Sequence, residues 1–284
     1  MTPKEAARDV RSWSLLALAA PAAALLIAAA ALPSTASAAT VTPPKRIAAA
    51  GKINFCSDMT SPPIEFLTPA TKPEGSDIDI GNAIAQRFGV KAVWHNIPFK
   101  GLIPALLAKQ CDAVISQLFD KPARRKVIDM VDYMDSSEAL LVRAGNPKKI
   151  HSLADLSGMK IAVENGTTIQ SLIQAQNKKF DAAGKKPAEL IVFPADTNAL
   201  QALEIGQVDA YGTTLETGAY YMSKAPKTFD VGGPPFHRIL TGIGMRKNDP
   251  GMKAAMQAAV DSMKKDGTLV AILKKWGIGG DALK

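Results

Sequence analysis

The sequence predicts an α/β protein of two lobes, each a mainly parallel sheet flanked by helices. Three observations lead there. From residue 46 onward, short apolar runs alternate with amphipathic stretches of helical period. That alternation runs once over about 46–140 and starts again over about 145–235. The stretch between the two runs, 137–143, is apolar and strand-like and lacks the Gly/Ser character of a linker. Strands joined by helix-length crossovers pair in parallel, with helices covering both faces. An extended joining segment predicts a hinge made of strands.

The elements follow in order. Ile53-Asn54-Phe55-Cys56 reads as the first strand. A helix begins near Asp77 with Ile80, Ala83, Ile84 and Phe88 on one face, Ser76 as candidate N-cap and Gly89 as its stop. A strand over 90–94 leads to a helix carrying Leu102, Ile103, Leu106 and Leu107, where Pro104 is tolerated in the first turn. The third strand is 112–116. In the second run, strands at 160–163, 190–193 and 208–212 enclose helices marked by Ile169, Leu172, Ile173 and Gln176, then by Ala199, Leu200 and Leu203. Met252, Met256, Ala259 and Met263 mark a late helix, and this stripe reads as core. Leu269, Ile272, Leu273 and Trp276 mark the last.

Residues 1–38 stand apart. A basic start (Lys4, Arg8, Arg11), an apolar run from Trp13 to Leu32 and a small-residue ending at Ser37-Ala38-Ala39 describe a secretory signal cleaved after Ala38. Pro21 and the small-residue ending fit this better than a retained membrane anchor. The mature chain is therefore expected to be exported. Removing the signal takes three basic and two acidic side chains, so the formal charge of +8 belongs mainly to the mature protein.

Composition excludes several classes. With 284 residues and 21% charged side chains the chain is neither disordered nor dependent on staples. Two cysteines make no disulfide framework, and His95, His151 and His237 are too scattered for a metal site. Walker A, Gly-x-Ser-x-Gly, His-Glu-x-x-His and Cys-x-x-Cys motifs are absent. Lysines and arginines are not interleaved with aromatics, so no nucleic-acid platform is expected. No cofactor is expected either.

What remains are polar motifs at the carboxyl ends of predicted strands, where such sheets place ligands. They are Cys56-Ser57-Asp58-Met59-Thr60-Ser61, Ile115-Ser116-Gln117-Leu118-Phe119-Asp120 followed by 121–125, Glu164-Asn165-Gly166-Thr167-Thr168, and Tyr211-Gly212-Thr213-Thr214-Leu215-Glu216. An arginine and a helix N-terminus that converge can clamp a carboxylate from two sides.

The order of these motifs over about 46–276 resembles family 3 solute-binding proteins, the periplasmic receptors of polar amino acid ABC transporters. Further matching stretches are Pro62-Pro63-Ile64-Glu65-Phe66, Gly75-Ser76-Asp77-Ile78-Asp79, Pro98-Phe99-Lys100-Gly101-Leu102 and Asp266-Gly267-Thr268-Leu269. The resemblance implies a type II periplasmic-binding-protein clamshell. Its first lobe would take 46–138 and 241–284, its second 143–236, with hinge strands at about 137–143 and 236–242. Matched by position, Arg124 would clamp a ligand carboxylate with Thr168, beside Thr167. Ser116 and Gln117 would add polar contacts, Phe99 a wall, and Asp58 the first-lobe side. By residue type alone, Arg124 also suits a solvated helix end, Thr168 a helix cap, Phe99 core packing, Asp58 a turn and Glu216 a surface helix.

Two departures bear on the ligand. Thr214 stands where the family usually has an aspartate for the ligand ammonium. Ser61 replaces an aromatic, and Phe119 a small hydroxyl residue. Phe119 is then the replacement wall, and Glu216 or Asp58 the candidate negative charge. The resemblance implies a monomeric, non-enzymatic receptor that delivers a small amino acid or related carboxylate to a membrane permease. Two rivals share its fold: a cyclohexadienyl-type dehydratase, and a ligand sensor without transport. Cys56 ends one strand and Cys111 begins a parallel one, so two buried free thiols are expected.

Overall fold

In the computed structural model the described residues are 40–283; the expected signal, 1–38, lies outside them. A short helix, α1 (Lys45–Ala50), leads into β1 (Lys52–Ser57). Three brief strands, β2 (Thr60–Ser61), β3 (Glu65–Leu67) and β4 (Pro73–Glu74), form a small separate antiparallel sheet. Then come α2 (Ser76–Arg87), β5 (Lys91–Asn96), α3 (Leu102–Leu107), β6 (Ala113–Val114) and α4 (Pro122–Arg125). The long strand β7 (Ile128–Arg143) follows. Beyond it lie β8 (Lys160–Glu164), α5 (Thr168–Ala182), β9 (Glu189–Phe193), α6 (Asp196–Glu204), β10 (Ala210–Thr214), α7 (Leu215–Lys224) and β11 (Phe229–Val231). A second long strand, β12 (Phe236–Arg246), precedes α8 (Pro250–Lys265) and α9 (Thr268–Lys275).

The main sheet runs β5-β1-β6-β12-β7-β10-β8-β9, with β11 attached to β7. At one end β5, β1 and β6 pair in parallel; at the other β10, β8 and β9 do. Between them β7 and β12 pair antiparallel, from Ile128 opposite Arg246 to Glu138 opposite Phe236. Two shifts in register, at Phe236/Ile239 and Thr241/Gly242, interrupt this ladder. The parallel-crossover pattern is thus present twice, separated by an antiparallel pair that belongs to both halves.

Burial divides the same way. One core gathers Ile53, Phe55, Ile80, Ile84, Tyr133 and Ile243 with the methionines Met252, Met256 and Met263 of α8. A satellite on the other face of β1 holds Cys56, Leu102, Leu106 and Val114. The second half is built around Val142, Ile161, Val163, Ile169, Ile173 and Phe180, with Leu141, Ala199, Leu203 and Tyr211 on the opposite face. These are the side chains whose period of two in strands and three to four in helices turns them inward. The result is an α/β protein of two lobes.

The sequence differs from the structure at three points. Ser76 is the first helical residue and not the N-cap; Gly75 takes that place, at φ 131°. Only glycine fits there, because a Cβ on Gly75 would lie 2.1 Å from the Ile64 carbonyl oxygen. The third strand is shorter than 112–116, with only Ala113 and Val114 paired to β1.

The third difference corrects the expectation of free thiols. Cys56 and Cys111 form a disulfide, with 5.7 Å between their Cα atoms. The expectation placed Cys111 at the start of a strand running beside β1. Because β6 begins at Ala113, Cys111 lies in the turn after α3, and both cysteines bury on the α3 side of β1. The link closes a separation of 55 residues. Its removal in Cys56→Ala/Cys111→Ala should cost about 4 kcal/mol by the loop-entropy relation, read by chemical denaturation. Under denaturing conditions without reductant, neither cysteine should react with a thiol reagent; labelling of both would contradict the assignment.

Candidate functional site

The carboxyl ends of β1, β6, β8 and β10 converge on one cavity. Nine of the eleven residues expected from the sequence line it: Ser61, Phe99, Ser116, Gln117, Phe119, Arg124, Thr167, Thr168 and Thr214. The other two, Asp58 and Glu216, are buried one layer behind.

Arg124 lies in the last turn of the short α4 and is 8% exposed. Its Nη1 donates to the Phe119 carbonyl at 2.8 Å, and its guanidinium lies 5.4 Å from the centre of the Phe99 ring. The carbonyl and the ring fix the guanidinium plane and leave further N–H groups toward the cavity. Burial lowers Arg124 to about 10, so it stays charged at neutral pH. In the same lining, Thr167 caps the fifteen-residue α5, accepting from the Gln170 amide at 3.4 Å and donating to the Glu164 carbonyl at 2.8 Å. Thr168, the first helical residue, is buried with its Oγ1 unpartnered. Gly166, at φ 87°, allows this turn to approach the other half: a Cβ there would lie 3.1 Å from Lys100 Cα. A guanidinium and a helix N-terminus thus line the same cavity, a combination that suits a carboxylate.

Asp58 organises the walls. It accepts from the Phe99 amide at 2.6 Å and from Thr60 Oγ1 at 2.6 Å, and its own amide donates to Ser116 Oγ at 2.9 Å. Both carboxylate oxygens are therefore occupied, which is why it stands behind the lining. Glu216 accepts from Gln117 Nε2 at 3.1 Å. The same Gln117 accepts from Thr214 Oγ1 at 3.3 Å and donates to Ser136 Oγ at 3.0 Å. Gln117 holds a left-handed φ of 40°, and its amide donates to Asp77 Oδ2 at 2.7 Å. Its side chain ties the first half to the start of α7. Thr214 is the N-cap of α7, accepting from the Thr217 amide at 3.3 Å. Glu216 is no surface residue; burial raises it to about 7.

Four lining carboxyls were not singled out by the sequence: Glu65, Glu138, Glu164 and Asp196. Glu65 and Glu164 sit inside the quoted motifs, so their signal was position at a strand or loop end. Asp196 opens α6, where an acidic residue reads as an ordinary first-turn preference. Glu138 interrupts the apolar joining segment, a carboxyl in a run that is otherwise core. Glu65 accepts from Ser116 Oγ at 3.1 Å. Burial raises Glu138 to about 8, with Glu216 adding to the shift and Lys121 and Arg124 opposing it. Burial likewise pushes Glu65, Glu164 and Asp196 upward, reinforced by neighbouring acids. Among the described residues no group of His, Cys, Asp and Glu is placed to hold a metal ion.

Comparison with known proteins finds relatives over most of the chain. The L-cystine-binding protein TcyJ of Escherichia coli (strain K12) is 27% identical over 240 residues, 84% of this chain and 87% of that protein. A solved ancestral arginine-binding protein bound to arginine is 32% identical, with TM-score 0.73 over 80% of this chain and 98% of that one. The ancestral amino acid-binding protein AncCDT-1, a precursor of cyclohexadienyl dehydratase, is 30% identical, with TM-score 0.74 over 81% of this chain and 97% of that one. The profile of the bacterial extracellular solute-binding proteins, family 3, matches residues 53–279. An α/β clamshell with its cavity between two lobes, and a family match over most of its length, lead to one conclusion: the chain belongs to the family 3 bacterial extracellular solute-binding proteins.

Proposed function

We propose that the protein captures an amino acid between its lobes and delivers it to a membrane ABC permease. The observation that carries this is that Arg124 and the α5 N-terminus line one cavity, and together they fit a carboxylate. On this reading the first lobe is 46–138 with 241–284, the second is 143–236, and β7 and β12 bend at about 137–143 and 236–242. A ligand that touches Arg124 on one side and Thr168 on the other favours the closed form by its differential contacts. Relatives named for cystine and arginine support an amino acid as the ligand. The Cys56–Cys111 disulfide suits the oxidising compartment into which residues 1–38 would direct the chain.

A second reading is favoured by one feature. Glu138 and Glu216, raised to about 8 and about 7, are acids able to hold a proton near neutral pH, as an eliminating enzyme of the cyclohexadienyl dehydratase type requires. The receptor reading expects no turnover of prephenate or arogenate; product formation at enzymatic rates would favour the enzyme instead.

The test of the receptor reading is a thermal-shift panel of free amino acids, followed by calorimetry. A ligand that binds only the folded form raises its melting temperature. Arg124→Ala should weaken carboxylate ligands by about a hundredfold or more, the scale of losing one partner of a buried charge pair. A cooperative melt of the unliganded variant shows that it is folded. Unchanged affinity in that folded variant would overturn the assigned clamp.

A further inference from the structure

Glu164 and Asp196 each keep one buried acceptor oxygen unsatisfied, although Asp58 lies beside Glu164, and Tyr211 and Ser61 lie beside Asp196. They are 3% and 5% exposed, both line the cavity, and Glu164 Oε1 and Asp196 Oδ2 accept no hydrogen bond. The fold brings them together: Glu164 ends β8, Asp196 begins α6 just beyond β9, and β8 and β9 are parallel neighbours with Glu164 opposite Phe193. The backbone here is already satisfied, with the Asn165 amide on the Phe193 carbonyl at 2.9 Å. The Asp196 amide donates to Thr60 Oγ1 at 3.1 Å, so the pair lies against the first lobe. A buried, unsatisfied acceptor in the wall of a cavity asks for a donor.

The charges around the pair point to what kind of donor. Asp58, from the loop after β1, and Glu65, from β3, face it from the first lobe. Glu138 of β7 acts from the sheet, and the phenols of Tyr211 on β10 and Tyr221 on α7 lie on the Asp196 side. The charged groups acting on the pair are acids, joined at Asp196 by the Tyr211 phenol and the Ser61 hydroxyl. Arg124, which lines the cavity, and half-buried Lys121 act on Glu138 instead. Burial and these neighbours raise both acids, so the empty pair holds protons that a cation would displace.

We propose that Glu164 and Asp196 form a cation subsite that takes the positively charged side chain of the ligand. This rests on the amino-acid reading above and adds the ligand's second positive charge and its position. No bond is made or broken; protons leave the carboxyls for solvent as the ligand's cation replaces them.

The experiment is calorimetry of the wild type with L-arginine and L-lysine against their neutral counterparts L-citrulline and L-norleucine. It is run in buffers of different ionisation enthalpy at pH 5.5 and pH 8. The proposal expects at least one cationic ligand to bind about tenfold or more tighter than its neutral counterpart. It also expects that ligand to release protons on binding and to tighten as pH rises, since ionised carboxyls bind it and protonated ones do not. Glu164→Gln and Asp196→Asn keep the shapes of the side chains and remove a buried acid, and either suffices. Each should abolish most of the preference for the cation and lower proton release, while leaving the neutral ligand within about threefold. Equal binding of charged and neutral members, or a variant that weakens both alike, would overturn the subsite while the Arg124 clamp stands. If no amino acid of either kind binds the wild type, the amino-acid reading falls and the subsite with it.

Discussion

Around one cavity the chain buries the carboxyl groups of Asp58, Glu65, Asp77, Glu138, Glu164, Asp196 and Glu216, and beside them the guanidinium of Arg124. Removing that many like charges from water is expensive unless each is hydrogen-bonded, protonated or met by a cation. The structure divides the task. Asp58 and Asp77 accept from the Phe99 and Gln117 amides and from the Thr60 and Tyr133 hydroxyls, and so hold the loops in place. Glu216 and Glu65 each accept from one side chain, Gln117 and Ser116. Glu164 and Asp196 are left with open acceptors, and that inequality gives the cleft a polarity. The lining presents both a guanidinium with a helix N-terminus and a pair of carboxyls.

This polarity depends on how the sheet is shared. β7 and β12 carry residues of both cores, so Ser136, Glu138 and Thr241 lie where the halves meet. Gln117 crosses that boundary to Thr214 and Glu216, and Thr60 crosses it to the Asp196 amide. Contacts of this kind are made only when the halves are close. A ligand that adds its own cross-boundary contacts shifts the same equilibrium. The disulfide sits elsewhere, under α3, and stiffens the wall that carries Phe99 without entering the cavity.

Much of the fold was legible because hydrophobic period fixes strand and helix faces locally. The stripes of α2, α5, α8 and α9 all bury as their spacing requires. Less legible was whatever depends on tertiary approach. The pairing of Cys56 with Cys111 turned on β6 having only two paired residues, a matter of how α3 returns to the sheet. Gly75 displaced Ser76 as the cap because Ile64 crowds that turn. In the site, Arg124, Thr168 and Gln117 announced themselves through motif position, whereas Glu138 and Asp196 look ordinary in the sequence. Their character comes from burial beside other acids, which spacing along one chain does not reveal. Thr214 showed the opposite: its lack of charge was visible at once, but that it caps α7 and holds Gln117 was not.

We place the ligand across the cleft with a carboxylate at Arg124 and a positive charge at Glu164 and Asp196. A crystal structure of the protein with its bound amino acid decides this. The expected result is the carboxylate on the Arg124 guanidinium and the α5 N-terminus, with a ligand nitrogen in hydrogen-bond reach of the Glu164 and Asp196 carboxyls. A ligand whose only positive group rests against Thr214 and Glu216, with Glu164 and Asp196 untouched, would contradict it.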